Sequence, residues 1–353
     1  TGFPARFTFL GEGETLSAEV ALSWYDAREK VAHRKAEWRL YYADNLVMRR
    51  ARAGDLIVFA RLAAGGVAAF LAPGGSAMDA DLSWLFGLGA AERRFAFAEV
   101  EGERDRALDL LAASILEELG VEPKPPEDAR LDALVARFET FPATATMSRL
   151  ARETADGPSP LDDPDAALLA WLDWEEALFR RLEARIVGAR LSEGFLTDGA
   201  PDVDGFVAFS LSVQNRRKSR MGHALDHHVE AILTAHDIPL TREASTEPGS
   251  RPDFLFPSEA AYHDPAVPDA ALDMLALKAS LKDRWRQVLA EAERIPAKHL
   301  LTLRPALSAA QRAEMARHRL ALVVPAPLAA RTGAEALSLA DFLDRRRPSP
   351  APP

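Results

Sequence analysis

The chain has 353 residues, 48% hydrophobic and 27% charged, a balance ordinary for a soluble globular protein and a length that favours two domains. No apolar run is long enough to cross a bilayer, and the absence of cysteine removes disulfides and thiolate metal sites. A formal net charge of −10 argues against a protein that coats nucleic acid indiscriminately, because an acidic surface repels phosphates and any DNA contact must come from local basic clusters. The opening residues lack the charged, apolar and small-residue order of a secretory signal, so a cytoplasmic setting is expected, with no membrane partner.

From Phe7 to about Val100 the sequence reads as short β-type runs, among them Glu37 to Tyr42, Asp55 to Ala60 and Val67 to Ala72, separated by the turn pairs Gly54-Asp55, Gly65-Gly66 and Gly74-Gly75. A compact, mainly-β barrel-like or sandwich-like domain is expected over residues 1–105. Helical spacing follows from Arg104 to Leu119, with Gly120 placed to end the helix, and Pro123-Lys-Pro-Pro-Glu-Asp then reads as a stiff polar connector. The connector region is assigned to 106–137.

Helical patterning returns from Leu131 to Glu139 and from Pro164 to Val187, where Leu168, Leu169, Leu172, Leu178, Phe179, Leu182 and Ile186 form an apolar stripe that reads as a buried face. A further helix is expected from about Gly222 to Ala235. Strands are expected at Asp253 to Phe256, Leu272 to Ala279, His299 to Leu303 and Leu320 to Val324, with a helix from about Lys282 to Arg294. This alternation predicts a mixed α/β sheet flanked by helices over residues 138–345. The proline-rich end, 346–353, reads as a disordered tail.

Within that half, Asp253 opens a strand, Lys278 lies inside the apolar run Leu275-Ala-Leu-Lys278, and Glu291 falls on the helix expected to follow. A lysine in an apolar strand needs a partner or a purpose. Two carboxylates and a lysine suit metal-assisted phosphodiester hydrolysis, with oxygen ligands for magnesium and an ammonium for phosphate and water. By spacing alone a structural lysine–carboxylate ion pair fits equally well.

Several motifs in order then carry a resemblance. Phe141-Pro142, Asn215-Arg-Arg-Lys-Ser-Arg-Met-Gly, Arg251-Pro-Asp-Phe-Leu-Phe-Pro-Ser, Tyr262-His-Asp264, Lys282-Asp-Arg-Trp-Arg-Gln, His299-Leu300, Thr302-Leu303 and Leu322-Val-Val-Pro325 resemble the catalytic domain of the EcoRII restriction endonuclease family over roughly Phe138 to Leu343. The resemblance implies a PD-(D/E)XK nuclease fold in which the acid usually found two residues before the strand lysine, here Ala276, is displaced to Glu291. It implies Asp253 and Glu291 as magnesium ligands and Lys278 as the phosphate- and water-orienting residue. It also implies a carboxylate on the preceding helix, which falls on Asp226, with Glu230 one turn on as the substitute.

Lys282, Asp283 and Arg284 read, from sequence, as a solvated helix start with Asp283 as a cap. The resemblance makes them, with Arg286, readers of paired CC and GG, through guanine acceptors and the cytosine amino group, and implies a target of the CCWGG or CCNGG kind. Arg216, Arg217, Lys218 and Arg220 form a basic cluster that suits phosphate. The adjacent His227 and His228 cannot share a helical face and receive no metal role. In the first domain Trp24, Tyr25, Arg28, His33, Arg34, Lys35 and Arg39 mix aromatics with cations, either a DNA-facing surface or an exposed hairpin of a domain that serves stability or dimerisation.

The expectation is therefore a magnesium-dependent type II restriction endonuclease that cuts both strands of double-stranded DNA and leaves 5′-phosphates. It would act as a homodimer or higher oligomer, since a two-fold symmetric site needs two active sites. The alternatives are a modification-dependent endonuclease and a catalytically weak DNA-binding or regulatory protein that keeps the nuclease fold.

Overall fold

The structure is a computed structural model, and it describes residues 2–11, 14–28, 35–61, 66–86, 129–197, 200–281, 285–332 and 336–346. The helix expected at Arg104 to Leu119, the proline-rich connector at Pro123 and the end of the tail lie outside the described residues. The chain divides into two compact units. One is Thr1–Glu101 with Ala306–Arg312, and the other is Gly102–Pro305 with Ala313–Pro353.

The first unit holds β1 (Gly2–Gly11), β2 (Glu14–Asp26), β3 (Trp38–Tyr42), β4 (Leu56–Arg61), β5 (Val67–Ala72) and α1 (Ala77–Leu85). Its five strands form one sheet in the order β3-β2-β1-β5-β4, curled into a half-barrel whose two edges do not meet. Strands β1 and β2 pair antiparallel without a break from Gly2↔Ser23 to Gly11↔Glu14, while β1 and β5 run parallel. Ala5, Phe7 and Phe9 recur at every second position of β1 and pack with Val20, Leu22, Ala69 and Leu71, as a strand with one buried face requires. The glycine turns have a steric cause at one point: a Cβ on Gly74 would lie 2.2 Å from the carbonyl oxygen of Gly54, so the two turns approach each other only because the side chain is missing.

The second unit opens with α2 (Ala129–Val135), α3 (Thr144–Thr154), α4 (Pro164–Glu193), the short ribbon β6 (Leu196–Thr197) and β7 (Ala200–Pro201), and α5 (Val203–Ala235). Helix α4 starts where Asp163 accepts the N–H of Ala166 at 2.9 Å with Pro164 in the first turn, and ends at Gly194 with φ 78°, the start and stop signals expected of a helix. The expected stripe is the buried one: Leu168, Leu169, Leu172, Leu178, Phe179 and Leu182 are all inaccessible. Helix α5 is 33 residues long and begins at Val203, where the sequence predicted a start near Gly222. Asp202 caps it by accepting the N–H of Gly205 at 2.8 Å. The early turns, with Gly205, Val207, Ser210, Ser212 and Val213, are poor in strong helix formers and hid the true start.

Next come β8 (Thr241–Arg242), β9 (Phe254–Phe256), α6 (Glu259–His263), β10 (Asp273–Leu277), α7 (Trp285–Val288), β11 (Lys298–Leu301), α8 (Ala309–Arg317), β12 (Leu320–Val323), α9 (Ala326–Thr332) and α10 (Leu339–Asp344). Five of these strands form a mixed sheet in the order β12-β11-β10-β9-β8. Strands β10, β11 and β12 are parallel, and β9 runs antiparallel to β10 and β8. Every residue of β10 is buried, which accounts for the apolar run Met274–Leu277 that follows its first residue, Asp273. The α/β class expected for this half is the one observed. The helix expected from Lys282 to Arg294 is a correction: among the described residues only Trp285–Val288 is α-helical, and Glu291 stands in the turn that follows.

Helix and sheet layers are joined by Asp165, only 3% exposed. Its carboxylate accepts the backbone N–H groups of Ala326 at 2.9 Å, Leu339 at 2.8 Å and Ala340 at 2.9 Å, tying the start of α4 to the starts of α9 and α10. Replacing Asp165 by alanine leaves three donors without their acceptor and is expected to cost on the order of 3 kcal/mol of stability, read by urea denaturation. A loss below about 0.5 kcal/mol would mean that the three bonds do not tie the layers together.

Candidate active site

Strands β9 and β10 pair with Phe254 opposite Leu275, so Asp253, the residue just before β9, arrives beside the end of β10. Its Oδ2 accepts the backbone N–H of Leu277 at 2.6 Å and lies 3.4 Å from the ammonium of Lys278. The lysine ammonium is therefore neither buried alone nor free: its side chain is 13% exposed, that of Asp253 29%. Lys278 also donates its backbone N–H to Leu301 of β11 at 3.0 Å. These bonds fix the pair to the central strands.

Two more carboxylates feel this pair. Burial pushes Glu291 up to about 7; the charge of Asp253 adds to the rise, and the cations Lys278 and Lys298 oppose it. Its Oε2 is buried with no hydrogen-bond partner among the described residues. Burial likewise raises Asp226, on α5, to about 6, helped by repulsion from Asp253 and opposed by Arg242, His223 and Lys278. Arg242 Nη2 and His223 Nδ1 each stand 3.9 Å from Asp226 Oδ2. The structure thus brings Asp226, Asp253, Lys278 and Glu291 into one electrostatic neighbourhood. Glu230, one turn along α5, is occupied otherwise, accepting from Arg242 Nη1 at 2.7 Å.

What this grouping can do follows from its charges. Carboxylates forced together and half-buried hold protons to high pH until a cation relieves them. Among the described residues no three His, Asp or Glu side chains form a ready-made metal cage. The donors nevertheless fit magnesium, which takes one or two carboxylates and completes its shell with water and substrate phosphate. The buried, unpartnered Oε2 of Glu291 is the atom most in need of such an ion.

The other expected contacts fare differently. Lys282, Asp283 and Arg284 lie outside the described residues. Arg286 reaches Glu314 at 2.8 and 3.0 Å and crosses the face of Trp285. Of the basic cluster, Arg216 is exposed, its guanidinium 4.6 Å from the ring of Phe141. Arg220 corrects the expectation of a phosphate clamp: it is buried, paired with Glu176 and 4.3 Å over Phe179, and burial pulls it down to about 10. Arg217 is bound to the buried Glu183 at 2.8 and 3.0 Å. These arginines face α4 because carboxylates wait for them there. The side chain of Lys218 lies outside the described residues.

His228 turns into the helical layer. Its Nε2 is 2.9 Å from Glu175 Oε2, and Arg152 Nη1 is 3.3 Å from its Nδ1, an arrangement that suits the neutral ring carrying its proton on Nε2. In the first unit Trp24 and Trp38 stack, 6.1 Å between centroids and 5° between planes, and both are exposed, as are Tyr25, Tyr41 and Lys35. Arg28 and Arg39 both pair with Glu37 at 2.5 and 2.6 Å, which spends much of the cationic character expected of this surface. Arg34 and His33 lie outside the described residues. Sequence reasoning missed Trp38, visible as the aromatic that opens β3, and Arg242 and Lys298, for which no local signal existed.

Residues 179–343 match the family model described as EcoRII C terminal. That stretch is similar to the EcoRII C-terminal domain. The chain is 43% identical over 167 residues to the type II restriction enzyme EcoRII of Escherichia coli, a match covering 47% of this chain and 40% of that protein. The chain therefore spans well under two thirds of the length of the curated relative it matches. Two solved structures also superpose in part. Metal-depleted Ecl18kI in complex with uncleaved, modified DNA gives a TM-score of 0.44 at 17% identity, covering 61% of this chain and 81% of the other. The same protein with uncleaved DNA gives 0.44 at 15% identity, covering 62% and 83%. Likeness of that size does not bear on what the chain does. The matched stretch, residues 179–343, contains every group of the candidate site.

The raised carboxylates give a pH signature. Because Glu291 titrates near 7 when folded and near 4.5 when exposed, the native state holds a proton that the unfolded state lacks between those values. That contribution to stability is complete below about pH 4.5 and lost as pH rises through 7. In chelator-treated protein, the midpoint of thermal unfolding should fall from pH 5 to 7.5 more steeply for the wild type than for Glu291→Gln. Parallel curves would place the group elsewhere.

Proposed function

We propose that this chain is a type II restriction endonuclease that hydrolyses phosphodiester bonds in both strands of double-stranded DNA with magnesium as cofactor. The observation that carries the reading is the Asp253–Lys278 pair, pinned by the N–H of Leu277, beside a Glu291 whose buried oxygen lacks a partner. It is supported by the 43% identity over 167 residues to a type II restriction enzyme and by the family-model match to residues 179–343, which hold these residues.

Asp253 and Glu291 would hold the ion, with Asp226 as a further carboxylate from α5. Bound there, magnesium would neutralise charge on the phosphate and sharpen the acidity of water. Lys278 places its ammonium where a phosphate oxygen displaces part of its contact with Asp253, and it orients the attacking water. Attack on phosphorus in line with the leaving 3′-oxygen leaves a 5′-phosphate. The competing structural reading, a plain Lys278–Asp253 ion pair, does not explain why two further carboxylates are held beside it at the cost of raising their pKa values.

For sequence recognition, Lys282, Asp283 and Arg284, with Arg286, are proposed as readers of paired CC and GG: cations donate to guanine, and the carboxylate accepts from cytosine. The target would be of the CCWGG or CCNGG kind. Arg216 is the member of the basic cluster retained as a phosphate contact. A symmetric site cut in both strands calls for a homodimer or higher oligomer. The stacked Trp24 and Trp38, with Tyr25 and Lys35, are proposed as a second DNA-facing surface. Among the described residues no helix is long and apolar enough to cross a membrane.

Plasmid DNA incubated with the protein and magnesium should yield discrete fragments. Lys278→Ala should lower the cleavage rate by about a thousandfold or more, with DNA affinity in a gel-shift assay largely intact. Retained cleavage by Lys278→Ala would remove this lysine from the chemistry, and a wild type that never cuts, with any divalent metal, would sink the nuclease reading.

A further inference from the structure

Glu291 is carried by a turn, and turns do not hold a side chain in place unless their own backbone is held. The turn joins α7 to β11 and includes Ala292 at φ 48°, a left-handed conformation that an alanine seldom adopts without restraint. Here side chains from elsewhere in the domain supply the restraint. The ammonium of Lys298, the first residue of β11 and 6% exposed, donates to the carbonyl oxygens of Ala292 at 3.1 Å and Ile295 at 2.6 Å. Glu247 Oε1 accepts the N–H of Glu293 at 2.9 Å and also the hydroxyl of Tyr262, whose oxygen accepts the N–H of Arg294 at 3.2 Å. Arg294 returns the tie by donating to the carbonyl of Val267 at 2.7 Å and to Asp269 at 2.8 and 2.9 Å.

We infer that Lys298 is a positioning residue for Glu291: its buried ammonium, with Glu247 and Tyr262, fixes the turn that presents this carboxylate to the Asp253–Lys278 pair. Nothing in the metal-binding set itself requires a lysine six residues from Ala292. A buried ammonium is costly, and here it is spent on two carbonyls that bracket the bend. The arrangement is a mechanical answer to a local problem. Ala276 stands where a strand acid would be held by the sheet, so the acid on the turn needs its own scaffold. The inference rests on the nuclease reading above, in which Glu291 binds the ion.

The test uses the full chain and three variants: Lys298→Met, Lys298→Arg and Tyr262→Phe. In plasmid cleavage across a magnesium series, Lys298→Met should raise the half-saturating magnesium concentration about ten- to a hundredfold. The rate at saturating magnesium should change less, and gel-shift affinity for DNA without metal should stay at the wild-type value. Lys298→Arg, which keeps a buried cation and donors, should recover part of the shift. Tyr262→Phe removes one tie without emptying the core, and a rise of about threefold or more is expected from it, so it carries the test should Lys298→Met not fold. A wild-type half-saturation in both Lys298→Met and Tyr262→Phe overturns the inference. So does a fall in the plateau rate with unchanged half-saturation, the mark of a merely structural role. If the wild type does not cleave, the nuclease reading fails on its own, and calcium binding by calorimetry decides about Lys298: equal affinities in wild type, Lys298→Met and Tyr262→Phe would overturn its role.

Discussion

The contact between Asp253 Oδ2 and the backbone N–H of Leu277, 2.6 Å long, is the constraint around which the candidate site is arranged. It ties a carboxylate to the main chain of a strand whose five residues are all buried, so the carboxylate cannot leave the next residue, Lys278, without breaking a charge-assisted bond. The antiparallel pairing of β9 with β10 makes this meeting possible, because it delivers Asp253 to the end of β10 from a segment 24 residues earlier in sequence. The rest of the site comes to a fixed point. Helix α5 brings Asp226 and the turn after α7 brings Glu291, and both carboxylates are raised by burial and by the charge of Asp253.

Holding α5 in that place requires a second set of charges. Arg217 and Arg220 on α5 meet Glu183 and Glu176 on α4, and His228 meets Glu175. Buried charges of this kind contribute little net stability over apolar packing, but a mismatched partner is severely unfavourable, so they select one register between two long helices. The register matters for Asp226, which lies two residues from His228 on the same helix. A basic run that reads as a surface for phosphate is thus largely an internal device. For an acidic chain, the consequence is that fewer cations remain for DNA than the sequence suggests.

Local chemistry explains what was legible. The apolar stripe of α4 with Asp163, Pro164 and Gly194 at its ends, the alternation in β1, and the apolar run Met274–Leu277 of β10 each carry their instruction within a few residues, because periodicity and capping are local effects. The start of α5 was misplaced because weak helix formers occupy its first turns, whose start is set by the Asp202 cap and by the contacts of Phe206 and Phe209 with Phe195. The helix expected around Glu291 failed for a related reason: its pattern looks helical, yet Lys298, Glu247 and Tyr262 provide partners for the backbone of a turn instead.

By itself the sequence determined the α/β class of the second unit, the β character of the first and, through ordered motifs, the EcoRII C-terminal resemblance and the candidates Asp253, Lys278 and Glu291. It left the last three level with a structural ion pair, since spacing says nothing about burial or about what else converges. Tertiary structure alone decided that Asp226 rather than Glu230 shares the field of Asp253, that Arg220 points inward, and that Glu291 stands on a braced turn with a buried, unpartnered oxygen. The physical reason is the same in each case. A side chain's charge state and availability depend on groups far away in sequence, and only the packed chain brings those groups together.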